Sequence, residues 1–202
     1  MAATLTTEAL RRGLSAIADG MEACADELNT VDGALGDGDL GVTMVRGVRS
    51  LREELPDLPD DVGMAFSRCA RALVRVSGST FGTLLATGLM SAARATRGRT
   101  EVACSETSAL LQAAIQAMSE RGKAKLGDKT VLDAAEAVRV ATEGVDDPAQ
   151  LLAAAKRAVA DALDRYRDRP CQQGRARIFG DASIGRDDPG MVAFARMVES
   201  LG

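Results

Sequence analysis

At 202 residues the chain has the length of one domain of ordinary size, long enough to bury a substantial core. Hydrophobic residues at 46% and charged residues at 27% exclude a disordered chain, and aromatics at only 2% starve a β-sandwich or barrel while suiting an Ala- and Leu-rich helical protein. A formal net charge of -4 excludes a global basic field for nucleic acid, and the absence of His excludes a Ser-His-Asp triad, a Cys-His dyad, a His-liganded zinc and a phosphohistidine.

In chain order, Leu10, Leu14, Ile17, Met21, Cys24 and Leu28 recur at helical spacing and predict a first helix that Asn29-Thr30 and the glycine-dense stretch Gly33–Gly41 break. Met44, Val45, Val48 and Leu51 predict a second helix ending before Pro56 and Pro59. A third runs from about Asp61 to Arg75, capped by Asp60 or Asp61. The small polar run Ser77–Thr83 precedes an Ala-rich fourth helix reaching about Thr96. Leu110, Leu111, Ala114, Ile115 and Met118 mark a fifth, stopping near Gly122, and Asp128 is the expected N-cap of a sixth through Val131, Leu132, Ala135 and Val138. Asp147-Pro148 opens a seventh helix to about Tyr166, and Asp188-Pro189 repeats that grammar for the eighth. The sequence thus predicts eight helices, no strand, and a single all-α domain over residues 1–202. The four cysteines are scattered without a C-x-x-C pair and read as reduced thiols. No N-terminal apolar segment and no run of ~18 apolar residues occurs, so a cytoplasmic chain making no contact with membrane or nucleic acid is expected.

Chemistry concentrates in four segments. Asp32, Asp37 and Asp39 fall within one glycine-rich stretch. On a continuous helix Asp37 and Asp39 would point about 200° apart, whereas a glycine-rich loop lets them converge. Carboxylates without His or Cys select Mg²⁺ or Ca²⁺. An EF-hand loop counted from Asp37 puts Val48 where a bidentate Glu is required, which leaves Mg²⁺ completed by ligand phosphates. Ser77, Gly78 and Thr83 belong to a loop whose small residues and hydroxyls suit a phosphate at a helix start. Gly122–Thr130 resembles a P-loop superficially, but Asp128 intrudes before Lys129 and no strand precedes it. The long polar connection through Arg175 and Arg186 to Asp188-Pro189-Gly190 carries arginines able to reach a phosphate. Taken singly, each segment also fits an ordinary interhelical turn.

Taken in order, the segments Gly-Asp37-Gly-Asp39-x-Gly, Ser77-Gly-x-x-Phe-Gly-Thr83, Gly122-Lys-Ala-x-x-Gly-Asp128-Lys-Thr130, Gly-Arg175-Ala and Ser-Ile-Gly-x-x-Asp188-Pro-Gly190 resemble the L subunits (DAK2-type domains) of dihydroxyacetone kinases over nearly the whole chain. The resemblance implies an eight-helix antiparallel barrel that binds ADP or ATP at one end. It implies that Asp32, Asp37 and Asp39 hold two Mg²⁺ ions bridging the nucleotide phosphates and carry the catalysis. It places Gly41, Val42, Thr43, Ser77, Gly78, Thr83, Gly122, Val131, Arg175, Asp188, Pro189 and Gly190 at the nucleotide site. A separate K-type subunit would hold the small ketose, so this chain alone would transfer nothing to it. The phosphoryl donor is either ATP or a phosphotransferase-system protein that recharges bound ADP in place. A non-catalytic nucleotide-sensing regulatory module, or the nucleotide domain of a fatty-acid-kinase-like system, are the alternative readings. Against the family pattern, Leu40 stands in place of a His, Thr43 in place of an Asn, Val74-Arg75-Val76 in place of Gly-Gly-Ala, and Arg186 in place of a His. Arg186 or Arg75 is expected to compensate in part for the lost imidazoles.

Overall fold

Helix starts fall where a short polar side chain can accept an amide from the next turn. The computed structural model describes residues 3–202. Thr6 opens α1 (Thr7–Ala23) and Asp61 opens α4 (Val62–Val76). Ser79 does so for α5 (Thr80–Ala95), Thr130 for α7 (Val131–Ala141), Asp147 for α8 (Pro148–Arg167) and Asp188 for α9 (Pro189–Glu199). Between them lie α2 (Ala25–Gly33), α3 (Leu40–Glu54) and α6 (Thr107–Gly122). The all-α reading holds.

Three local expectations fail, each for an identifiable reason. The first helix divides at Cys24 (φ -100°, ψ 11°), giving nine α-helices among the described residues rather than eight. The hydrogen-bond ladder is almost unbroken there, since Cys24 N–H reaches the Gly20 carbonyl and Leu28 N–H the Cys24 carbonyl, so the apolar spacing carries no trace of the division. Asn29-Thr30 does not end the helix either, because the Thr30 hydroxyl donates to the Asp26 carbonyl at 2.8 Å and is satisfied within it. Finally, a short antiparallel ribbon pairs β1 (Thr4–Thr6) with β2 (Glu101–Ala103), Leu5 opposite Val102. Three-residue strands leave too little alternation to detect.

The helices close into a ring: α3 packs on α1 and α4, then α5, α6 and α7 follow in sequence, and α9 packs on α7, α8 and α1. They enclose an apolar cavity of about 370 Å³ lined by residues such as Leu14, Val48, Leu85 and Leu110. With four Phe and no Trp, this interior has few large side chains to fill it. A second cluster, with Met21 and Leu28 wholly buried among Leu40, Met44, Val48 and Val192, clamps α2 and α3 to α1 and α9. Burying each of these large side chains contributes roughly 1.5–3 kcal/mol. That clamp fixes both ends of the acidic loop.

Candidate functional site

The α2–α3, α4–α5, α6–α7 and α8–α9 connections all contribute to one cleft of about 320 Å³. Successive helices in that part of the ring therefore run in opposite directions, as the antiparallel reading expects.

The acidic loop is built by division of labour among its aspartates. Asp32 lies in the last turn of α2, and its Oδ2 accepts the backbone N–H of Asp39 at 3.0 Å and of Leu40 at 3.3 Å. It thus does for α3 what an N-cap side chain normally does from within the helix, and Asp39 makes no side-chain cap bond. The Asp39 carboxylate is left available. Gly38 turns the chain at φ 76°, a left-handed conformation unfavourable to other side chains. The result is one carboxylate oxygen from each of Asp32, Asp37 and Asp39 within 4.8 Å of the others. Three hard oxygen donors so placed, with no imidazole or thiol in the set, fit a Mg²⁺-type ion that keeps water or phosphate in its remaining positions.

The opposite wall comes from the long connection after α8. Leu35, 1% exposed, packs with Cys171, Ala176 and Phe179, so an apolar contact joins the acidic loop to residues 171–179. This contact delivers Arg175, whose guanidinium pairs with the Asp37 carboxylate. The N-terminal ends of α3, α5, α7 and α9 also meet at the cleft, through Asp39 and Leu40, Ser79 and Thr80, Thr130 and Val131, and Asp188 and Pro189. Helix N-termini carry partial positive charge and unpaired N–H groups, the arrangement that suits phosphate. Acids that gather a cation therefore face groups that attract an anion.

Among the described residues, Asp188 is the one strongly perturbed acid. It is 9% exposed, and burial pushes its pKa up to about 6 despite the Met191 and Gly190 N–H groups, which work the other way as does the charge of Lys129. The Gly122–Thr130 turn is organised differently from a phosphate loop. Asp133 accepts Gly127 N–H at 2.6 Å and Thr130 N–H at 2.8 Å, and Asp128 accepts Lys125 N–H at 2.7 Å. Thr130, not Asp128, caps α7, because Lys129 sits at φ 61° and cannot begin a right-handed helix, whereas Thr130 with Asp133 completes a capping box.

Of the residues singled out from sequence, Asp32, Asp37, Asp39, Thr43, Gly78, Gly122, Val131, Arg175, Asp188, Pro189 and Gly190 line the cleft. Gly41 instead packs against α2, where a Cβ would collide with the Ala25 carbonyl, and Val42 is exposed on the next position of α3. Ser77 instead borders the apolar cavity, and the Thr83 hydroxyl turns back to the Ser79 carbonyl at 3.0 Å. Leu40 is 7% exposed and joins the buried cluster between α2 and α3. Neither Arg75, which pairs with Glu54 at 2.6 Å, nor Arg186 is among the residues lining the cleft. Arg46 is. The sequence reading missed it, together with Gln173. Its signal was present, since Thr43 and Arg46 are three apart on α3 and share the face that begins at Asp39. All four cysteines are unpaired. No helix among the described residues is long and apolar enough to cross a membrane.

Comparison with known proteins agrees with this architecture. The chain is 30% identical over 182 residues to the ADP-binding subunit DhaL of the PEP-dependent dihydroxyacetone kinase of Escherichia coli K12, covering 88% of this chain and 87% of that one. It is 33% identical over 192 residues to the L-erythrulose 1-kinase of Mycolicibacterium smegmatis, covering 90% of this chain but only 33% of that protein. The crystal structure of the dihydroxyacetone kinase of C. freundii in complex with AMP-PNP and Mg²⁺ superposes with a TM-score of 0.74 at 20% identity, over 99% of this chain and 34% of the other. Residues 34–202 match the DAK2 domain, and with ring, cleft and acidic loop in agreement, the chain belongs to the DAK2-domain family.

Proposed function

We propose that residues 1–202 act as one nucleotide-binding domain, the ADP- or ATP-holding subunit of a two-part kinase acting on dihydroxyacetone or a related small ketose. The observation that carries this reading is the pairing, in a single cleft, of a three-carboxylate cluster with four helix N-termini and Arg175. The names of the E. coli and M. smegmatis relatives, one an ADP-binding subunit and the other a ketose kinase, support it.

Asp32, Asp37 and Asp39 are the residues that would hold magnesium, two ions in this reading, with water and phosphate oxygens filling the positions that three carboxylates leave open. An ion held there would supply charge neutralisation for the phosphates in phosphoryl transfer. The chain's own part is positioning. Thr43, Gly78, Gly122 and Val131 shape the cleft wall, Arg175 and Arg46 bring positive charge, and Pro189 and Gly190 present the start of α9. Gly41 and Val42 on α3, Ser77 just before α5 and Thr83 in its first turn adjoin that wall in sequence without lining the cleft. In this reading the acceptor ketose is held by a K-type partner and presented to the cleft. The phosphoryl donor is either exchanging ATP or a phosphotransferase-system protein that rephosphorylates bound ADP in place.

The test is reconstitution. The purified chain is mixed with a K-type subunit, dihydroxyacetone or erythrulose, and either Mg-ATP or bound ADP with a phosphorylated phosphotransferase-system donor. Phosphorylated ketose is expected only when both subunits are present, and Asp37→Asn is expected to abolish it. No product with either donor, from a chain that binds Mg-nucleotide normally, contradicts the kinase reading and favours a nucleotide sensor.

A further inference from the structure

The side chain of Lys129 is wholly buried yet makes no hydrogen bond or ion pair to a carboxylate. Its three ammonium hydrogens go to backbone carbonyls: Arg167 at 3.0 Å, Arg169 at 2.7 Å and Ser183 at 3.0 Å. Two of these partners belong to the end of α8 and the residues just after it. The third lies at the far end of the connection to α9. The backbone of Lys129 takes a left-handed conformation, φ 61°, an uncommon state for a residue with a side chain.

Other bonds converge on the same point. Gln172 N–H reaches the Asp128 carbonyl at 3.0 Å, Gly185 N–H the Arg167 carbonyl at 2.9 Å, and Cys171 N–H the Ser183 hydroxyl at 2.8 Å. The strap from Asp168 to Asp187 is thereby folded back on itself with both feet at Lys129, and it carries Gln173, Gly174, Arg175 and Ala176 into the cleft wall. The ammonium also occupies the negative end of α8. A cation there satisfies carbonyls that the helix end leaves without an intrahelical partner.

We infer that Lys129 is a positioning residue of this site: it pins the 168–187 strap and so sets Arg175 opposite the acidic loop, without itself touching metal or nucleotide. This rests on the nucleotide reading above. The acidic loop is built from α2 and α3, so loss of the pin should separate two affinities that a general loss of structure would lower together.

The experiment is Lys129→Met in the full chain, measured by calorimetric titration with Mn²⁺ alone and with Mg-ADP, and by amide exchange over the strap. The variant is expected to keep its helicity, to bind Mn²⁺ no more weakly than the wild type, and to exchange faster in 168–187 only. If the ordered strap is populated in about one tenth of molecules, Mg-ADP binding weakens roughly tenfold. Lys129→Arg, which keeps the charge and the donors, is expected to recover part of that loss. A folded Lys129→Met with unchanged strap exchange and unchanged Mg-ADP affinity overturns the inference. So does a variant that loses its helices altogether, since Lys129 would then serve the whole fold. Strap exchange is read without ligand, so a wild-type chain that binds no Mg-ADP would defeat the nucleotide reading while leaving the pin itself tested.

Discussion

The ion pair between Arg175 and Asp37 places a protein cation on one of the three carboxylates proposed to hold magnesium. Arg175 should therefore oppose metal binding in the free chain and favour nucleotide binding in the loaded one. Arg175→Met separates these effects by sign. The pair is partly solvated, with side-chain exposures of 63% and 46%, so breaking it costs the arriving ion only about 0.2–1 kcal/mol. Removing Arg175 should then tighten Mn²⁺ binding without nucleotide by no more than about fivefold. A charge-assisted contact from the guanidinium to phosphate contributes about 1.5–3 kcal/mol, so Mg-ADP should bind the variant roughly 10- to 150-fold more weakly. Calorimetric titration with Mn²⁺ and then with Mg-ADP reads both. If the two affinities fall together, or metal binding alone weakens, Arg175 is not a competitor for the acidic loop and the argument fails.

Three further outcomes follow from the geometry. Asp32→Ala removes the acceptor for two N–H groups at the start of α3 and should lower unfolding free energy by about 1 kcal/mol, whereas Asp39→Ala, which makes no cap bond, should leave thermal stability nearly unchanged. Leu35→Ala opens a cavity between loop and strap and should cost about 2–5 kcal/mol in chemical denaturation; a cost below about 1 kcal/mol would mean the two are not held together by that contact. Asp188, shifted from its usual 3.8 to about 6, binds a proton in the folded chain that the unfolded chain has already lost between those pH values, so its contribution to stability falls as pH rises through that window. Asp188→Asn keeps a capping oxygen without the charge, and should gain on the wild type by about 3 kcal/mol between pH 4 and pH 7. A pH-independent difference between the two would refute this.

Much of this molecule was legible because its signals are local. Asp61, Asp147 and Asp188 cap helices where their spacing said they would, and the two Asp-Pro pairs mark helix starts directly. The convergence of Asp32, Asp37 and Asp39 was legible because only a glycine-rich loop brings such acids together. What escaped depends on partners distant in sequence or on one residue's dihedral angles. Thr130 displaced Asp128 as a cap because Lys129 turns left-handed, a conformation unlikely for lysine and set here by carbonyls 38 to 54 residues away. Arg46 rather than Arg75 reaches the cleft because Arg75 is held by Glu54. No local pattern encodes the first choice, whereas the second was open to the three-residue spacing of Thr43 and Arg46 on α3.

The central claim is that the α2–α3 loop gathers a divalent cation. Mn²⁺ titration followed by electron paramagnetic resonance tests it most directly, on the wild-type chain and on Asp37→Asn and Asp39→Asn. Saturable binding by the wild type that is lost in both variants, with helicity retained, is the predicted result. Binding that survives both substitutions unchanged would contradict it.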